Sequence, residues 1–407
     1  MEPRTVSETL NRAVATFPAI VLTGPRQSGK TTLLRKQFGK THEYISLENP
    51  DIRLRAKEDP LLFVKQIENG AILDEIQYVP ELLSYIKSSI DEDRTAGKWI
   101  LTGSQNFVLM EKASESLAGR AAILSLLPFS VSERLGLGDK SKTVEVILKE
   151  ELKEKKNLKR YNMAEIILRG NYPEIANNPK VDRTLWCSSY INTYLERDIR
   201  NLEQVGDLAQ YQIFLRACAA RTGQILDLTS IAREIGVSFT TAKRWLTLLE
   251  TSYQVFLLYP YYKNIGKRLV KRPKIYFSDT GLATYLMGIN NIETLTASPS
   301  YGALFETLIV TDFMKRFLHH GENPSMYYLR TQDKLEIDLV VELSNKLNLI
   351  EIKSSSTIRP EHSSSIVKIK RDLEDNINKT FIISNSQDKF ELPNGVTNIP
   401  ARLIFEN

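Results

Sequence analysis

LTGPRQSGKTTLL, residues 22–34, sets the reading of the first third of the chain. It holds Gly24, then Pro25, Arg26, Gln27 and Ser28, then Gly29-Lys30-Thr31-Thr32. The apolar run AIVL (19–22) precedes it as a short buried strand, and LLRKQF follows with helical character. That strand–loop–helix context is what a phosphate loop requires. The two glycines let the backbone wrap closely around phosphates. Successive N–H groups and the following helix N-terminus then face the negative charge. Lys30 is expected at the β and γ phosphates of a nucleoside triphosphate, and the Thr31 hydroxyl on Mg²⁺.

Working outward, the next segment is GAILDEIQYVPEL (70–82). Residues 71–73 read as a central strand, with Asp74 at its C-terminal end, where open α/β sheets place their ligands. Asp74 is expected to hold Mg²⁺ through water, and Glu75 to polarise the attacking water. A third strand, KWILTGSQN (98–106), ends in Ser104, Gln105 and Asn106, of which Ser104 is the first choice for the γ phosphate. Arg120 in SLAGRAAILSL is either a surface arginine or a guanidinium that stabilises phosphoryl charge across a subunit boundary.

The chain has 407 residues, enough for two or three domains. It is 42% hydrophobic and 25% charged, an ordinary globular balance, and its formal charge of +5 permits a nucleic-acid partner without requiring one. Two cysteines, Cys187 and Cys218, cannot make a disulfide framework. No apolar run approaches the ~20 residues of a membrane span, and the N-terminus lacks a signal-peptide pattern, so no membrane and a cytoplasmic location are expected.

LTGPRQSGKTTLL, AILDEIQ, ILTGSQN and SLAGR together resemble the AAA+ family of ATPases. With RGNYPEI (169–175) and YLERDIRNL (194–202), the chain more closely resembles the bacterial and archaeal group whose ATPase domain precedes a C-terminal DUF4143 domain. The resemblance implies an AAA+-like P-loop core, ATP hydrolysis with Mg²⁺, Ser104 as sensor, and Arg120 as a trans-acting finger in a homo-oligomer.

Residues 137–160 carry dense charge of both signs and read as a solvent-exposed helix or connector. Residues 190–202 look helical, with Arg197 and Asp198 either functional or ion-paired. In LTSIAREIGVSFTTAKRWLTLLE (228–250), a helix, a Gly236-Val237-Ser238 turn and a second helix make a helix-turn-helix pattern. With SYQVFLLYPYY and a returning hairpin it reads as a winged helix. Six hairpin cations, Lys263, Lys267, Arg268, Lys271, Arg272 and Lys274, could meet DNA phosphates, and Thr240, Thr241, Lys243 and Arg244 could face a groove. A packing role for the same domain is the alternative.

The last domain opens on the helix GALFETLIVTDFMKRFL and continues in strands SMYYLR, EIDLVVEL, KLNLIEIKSS, KTFIISNS and ARLIFE. Glu306 is on the helix, Asp338 on one strand, and Glu351 and Lys353 on one face of the next. Two carboxylates can bind Mg²⁺ and activate water. The set resembles the PD-(D/E)XK nuclease superfamily, with Ile337-Asp338 at the usual Pro-Asp position. It implies an α/β restriction-endonuclease-like domain that either cuts DNA or binds partners without turnover. The expected domains are the ATPase core 1–135, a helical connector 136–204, the winged helix 205–285 and the nuclease-like domain 286–407.

Overall fold

The computed structural model describes residues 2–103, 116–149, 152, 161–195, 208–261, 272–331, 335–373 and 376–407. The first sheet consists of β1 (Ala19–Thr23), β2 (Glu43–Ser46), β3 (Ala71–Asp74), β4 (Trp99–Gly103) and β5 (Ala121–Ser125). Their order is β2-β3-β4-β1-β5 and every pairing is parallel. β1, β3 and β4 are buried along their whole length, as near-continuous apolar strands must be when both sheet faces are covered. One face packs on Phe63, Leu82, Ile86 and Ile90, the other on Val6, Leu10, Leu33 and Leu34. Parallel pairing puts the C-terminal ends of β1, β3 and β4 at one edge, so the loop after β1 faces the acid after β3.

The middle segment holds helices Leu228–Ile235 and Phe239–Thr251, joined by the expected turn. Gly236 closes the first helix at φ 72°, a left-handed cap that favours glycine. A small antiparallel sheet, β6 (Gln224–Ile225), β8 (Lys274–Phe277) and β7 (Val255–Leu258), packs beside them. Strand-like bonds continue from this sheet to the C-terminal one: Tyr261 N–H donates to Tyr328 O at 2.7 Å and Tyr328 N–H to Tyr259 O at 3.1 Å.

The C-terminal segment begins with helix Tyr301–His319. Leu304, Phe305, Leu308, Ile309, Val310 and Phe313 are all fully buried, the signature of a helix enclosed on every side. Next come β9 (Met326–Arg330), β10 (Glu336–Leu343), β11 (Lys346–Lys353), helix Ser364–Leu373, β12 (Ile377–Ser384), β13 (Phe390–Glu391) and β14 (Thr397–Pro400). β9, β10 and β11 are antiparallel neighbours, and β12 returns parallel to β11. A single apolar core runs from Val131 through Phe214, Trp245 and Phe305 to Phe405.

Two local expectations need correction. ARLIFE is not a strand: Ala401–Phe405 is a short helix following Pro400, with Leu403, Ile404 and Phe405 buried. A short apolar run cannot be assigned by period alone. The charged stretch after residue 137 is not wholly solvent-exposed either. In helix Val144–Lys149, Val144, Ile147 and Leu148 face the core, while the Glu145–Lys149 pair points outward.

Candidate functional site

The phosphate loop leaves β1 at Gly24, whose φ is 147°. A Cβ there would lie 2.1 Å from the Leu126 carbonyl oxygen, so glycine is required by contact as well as by torsion. Gly29 caps helix Lys30–Phe38 at φ 95° with no side-chain cap bond. The first N–H groups of that helix therefore have no side-chain acceptor at the cap and face the loop. Ser28 Oγ is buried without a hydrogen-bond partner. These donors around a close-wrapped backbone fit a polyphosphate. Lys30 is buried, and its ammonium donates to the loop's own Gly24 O (2.8 Å) and Pro25 O (2.9 Å). A cavity of about 250 Å³ is lined by Arg26, Gln27, Gly29, Lys30, Thr31, Thr32, Glu48 and Glu75.

Asp74 ends β3 and meets the loop directly: the Thr31 hydroxyl donates to Asp74 Oδ2 at 2.9 Å. Thr31 and Asp74 are thus placed together, as a shared Mg²⁺ needs. Glu75 follows in the left-handed region at φ 58°, ψ 49°, a conformation costing a non-glycine residue of the order of 1–3 kcal/mol and found at functional sites. Its N–H donates to Thr102 Oγ1 at 3.3 Å and its carboxylate accepts from Gln77.

Two residues of this network went unread in the sequence. The Tyr44 hydroxyl, from β2, donates to Asp74 Oδ2 at 2.7 Å, and the Thr102 hydroxyl, from β4, donates to Asp74 Oδ1. Burial and the Asp74 hydrogen bond push the Tyr44 phenol up to about 12, which keeps its proton in place. Tyr44→Phe should lower the turnover of ATP roughly tenfold, the worth of about 1.5 kcal/mol for a hydrogen bond to a charged group. Steady-state kinetics would check it; an unchanged kcat would remove Tyr44 from the site.

Behind the loop, Arg4 donates to Ser28 O (2.8 Å) and Leu127 O (2.7 Å) and approaches Glu133 Oε1 at 3.2 Å. Leu127 N–H donates to His319 Nε2, which leaves the ring proton on Nδ1, 3.2 Å from Glu133 Oε1. Arg4 Nε and His319 Nδ1 make these contacts without hydrogen-bond alignment: the first is an ion-pair approach, the second a neutral ring turning its N–H towards the carboxylate. Asp312 accepts from Val131 N–H and Lys315 donates to Phe129 O. Helix Tyr301–His319 is thereby fastened to the segment that follows β5.

Arg120 stands at the other end of the sheet. Its carbonyl accepts from Ala19 N–H at the start of β1, and its guanidinium meets Asp91 at 2.6 Å. Five strand residues, roughly 16 Å, separate it from its own phosphate loop, so it cannot serve that loop. Ser104, Gln105, Asn106, Arg197 and Asp198 lie outside the described residues, as do Lys263, Lys267, Arg268 and Lys271.

In the C-terminal segment, Glu306, Asp338, Glu351 and Lys353 do converge. Lys353 Nζ is 2.7 Å from Glu351 Oε2 and 3.7 Å from Asp338 Oδ2, and Ile352 N–H donates to Asp338 Oδ2 at 2.8 Å. The unexpected member is Lys274 on β8. It was read as an exposed hairpin cation, but it is 2% exposed and its ammonium lies 3.1 Å from Glu306, 2.6 Å from Glu336 and 3.8 Å from Asp338. Arg272 is also engaged, with Asp227 at 2.7 Å. The run Lys-Ile-Tyr-Phe puts Lys274 and Tyr276 on one face of the strand, but nothing in it tells an inward lysine from a surface one. No group of three or more metal-ligating side chains stands ready among the described residues. With the Lys274 ammonium standing among its carboxylates, the cluster as folded leaves no place for a divalent metal.

Burial, then the charge of Asp338, pushes the Glu306 carboxyl up to about 7 and that of Glu351 up to about 8. Raised acids hold protons in the folded state that the unfolded chain releases from about pH 4.5 upward. Their contribution is fully present below that pH and is lost as pH rises through about 7 and 8. Glu351→Gln should therefore show a smaller fall in Tm than wild type between about pH 6 and about pH 9. Parallel curves would contradict the assignment.

A parallel sheet in this order, with the loop after its fourth strand in line and the acid after its second, defines a P-loop domain of the AAA class. Residues 16–135 match the family model described as AAA domain, residues 160–293 that of domain of unknown function DUF8612, and residues 301–404 that of DUF4143. The DUF8612 match spans both the connector and the helix-turn-helix segment. Over 100% of its length the chain is 32% identical to Uncharacterized protein Rv2008c of Mycobacterium tuberculosis and to Uncharacterized protein Mb2031c of Mycobacterium bovis, covering 85% of each. It belongs to their family, with an AAA ATPase domain at the N-terminus and DUF4143 at the C-terminus. Among solved structures it is similar to the Walker-type ATPase PABY2304 of Pyrococcus abyssi, at 18% identity and TM-score 0.45, covering 70% of this chain and 98% of that one. The Thermotoga maritima RuvB Holliday junction branch migration motor follows at 16% and TM-score 0.30, covering 62% and 88%. No helix among the described residues is long and apolar enough to cross a membrane.

Proposed function

We propose that the protein is a magnesium-dependent ATPase whose hydrolysis is coupled to DNA. The observation that carries the hydrolytic reading is the 2.9 Å bond from Thr31 to Asp74, which joins loop and acid beside Glu75. The loop N–H groups and Lys30 bind and orient the phosphates. Glu75 takes a proton from the attacking water, and Gln77 holds its carboxylate. Thr31 and Asp74 would hold Mg²⁺, which would supply charge neutralisation at the phosphates. Arg120 acts only on the nucleotide of a neighbouring copy, where a fixed guanidinium stabilises transferring charge. Ser104 is retained as the sensor.

Support for DNA comes from helix Phe239–Thr251, which exposes Phe239, Thr240, Lys243 and Arg244 in a winged-helix-like setting. ATPase rates should rise with linear, nicked or branched DNA. The double variant Lys243→Ala/Arg244→Ala should weaken binding and reduce the salt slope by about 2. An unchanged affinity and slope would take this helix out of the interface.

For the C-terminal domain, the order helix, three antiparallel strands, helix, parallel strand supports a restriction-endonuclease-like fold. Lys274 among its carboxylates favours binding of partners without cutting. Cleavage of DNA with Mn²⁺ by the wild type, lost in Asp338→Ala, would overturn that.

A further inference from the structure

We infer that Lys274 is the resident cation of the C-terminal carboxylate cluster, and that the cluster takes no divalent cation while this side chain is in place. The inference deepens the non-cutting reading and is independent of ATP hydrolysis. β8 belongs to the small β6-β8-β7 sheet, not to the six-stranded sheet that carries Asp338 and Glu351. Residues two apart on a strand share a face, and β8 uses this twice. Lys274 reaches Glu306, Glu336 and Asp338, and the Tyr276 hydroxyl donates to Glu306 Oε1 at 2.6 Å.

At least one oxygen of each carboxylate is already engaged. Glu306 Oε1 takes both Lys274 and Tyr276; Glu336 gives one oxygen to Lys274 and the other to Arg330. Asp338 Oδ2 takes Ile352 N–H and faces Lys353, while Glu351 Oε2 takes Lys353. An ammonium has no lone pair to offer a metal, and two cations sharing these oxygens would repel strongly in a buried site. Conversely, a buried ammonium without its carboxylates would be costly. Lys274 and a divalent ion are therefore alternative occupants of one place.

The test is Mn²⁺ binding to the nucleotide-free full chain, read by the electron paramagnetic resonance of free Mn²⁺. Wild type and Asp74→Asn should take up no Mn²⁺ at the cluster. Lys274→Met should gain a bound ion, and Lys274→Met/Asp338→Asn should lose it again, with MgATP binding retained in both as the check on folding. Mn²⁺ bound by wild type, kept in Asp74→Asn and lost in Asp338→Asn, overturns the inference. So does a folded Lys274→Met that binds none. Should Lys274→Met not fold, the wild-type, Asp74→Asn and Asp338→Asn set decides alone.

Discussion

Lys30→Ala should reduce affinity for MgATP by two to three orders of magnitude. The ammonium is buried and already within 2.8–2.9 Å of the loop carbonyls where it would meet phosphate oxygens. Two charge-assisted bonds are worth roughly 3–4 kcal/mol, which converts to the stated loss. Calorimetry with MgATP measures it directly. The loop conformation itself rests on Gly24 and on Arg4 holding Ser28 O, so the far-UV spectrum of the variant should match wild type. An affinity within a factor of a few of wild type would mean that Lys30 does not touch the nucleotide.

Glu133→Ala should destabilise the whole chain by about 3–5 kcal/mol, the cost of leaving buried positive charge uncompensated. The carboxylate is fully buried and accepts from Thr5 and Ser130 N–H groups at 2.8 and 2.9 Å, besides facing Arg4 and His319. Burial alone would raise its pKa, but Arg4 and His319 outweigh burial and hold it well below the usual carboxylate range. A depressed acid stabilises above its unfolded value and loses that contribution as pH falls below about 4.5. Glu133→Gln keeps the shape and should lack that acid-side component. Thermal melts from about pH 3 to about pH 7 would show both effects. A Glu133→Ala melt equal to wild type would show that the network carries no stability.

The same residues mark where sequence reading stops. The loop at 24–32 was legible because its chemistry lies in consecutive residues, and parallel pairing then carries Asp74 to it. Tyr44 and Thr102 were not legible: each is one hydroxyl on a short strand, and only the β2-β3-β4 register puts both on Asp74. Glu133 and Lys274 look like surface charges in their local sequence. Their partners lie 128 residues away at Thr5 and 32 residues away at Glu306, and only the fold supplies them. The convergence of Glu306, Asp338, Glu351 and Lys353 could be anticipated from strand period. The cation among them could not, because it arrives from a different sheet.

The most direct measurement is phosphate release and MgATP binding by Glu75→Gln beside wild type. The substitution removes a base from the left-handed corner after β3 and leaves the cradle of Gly24, Gly29 and Lys30 untouched. Wild type should bind and hydrolyse ATP with Mg²⁺, and the variant should bind comparably while losing about 10²–10⁴ in turnover, the usual worth of a positioned general base. Equal turnover in the two proteins, or no uptake of MgATP by wild type, would contradict the account.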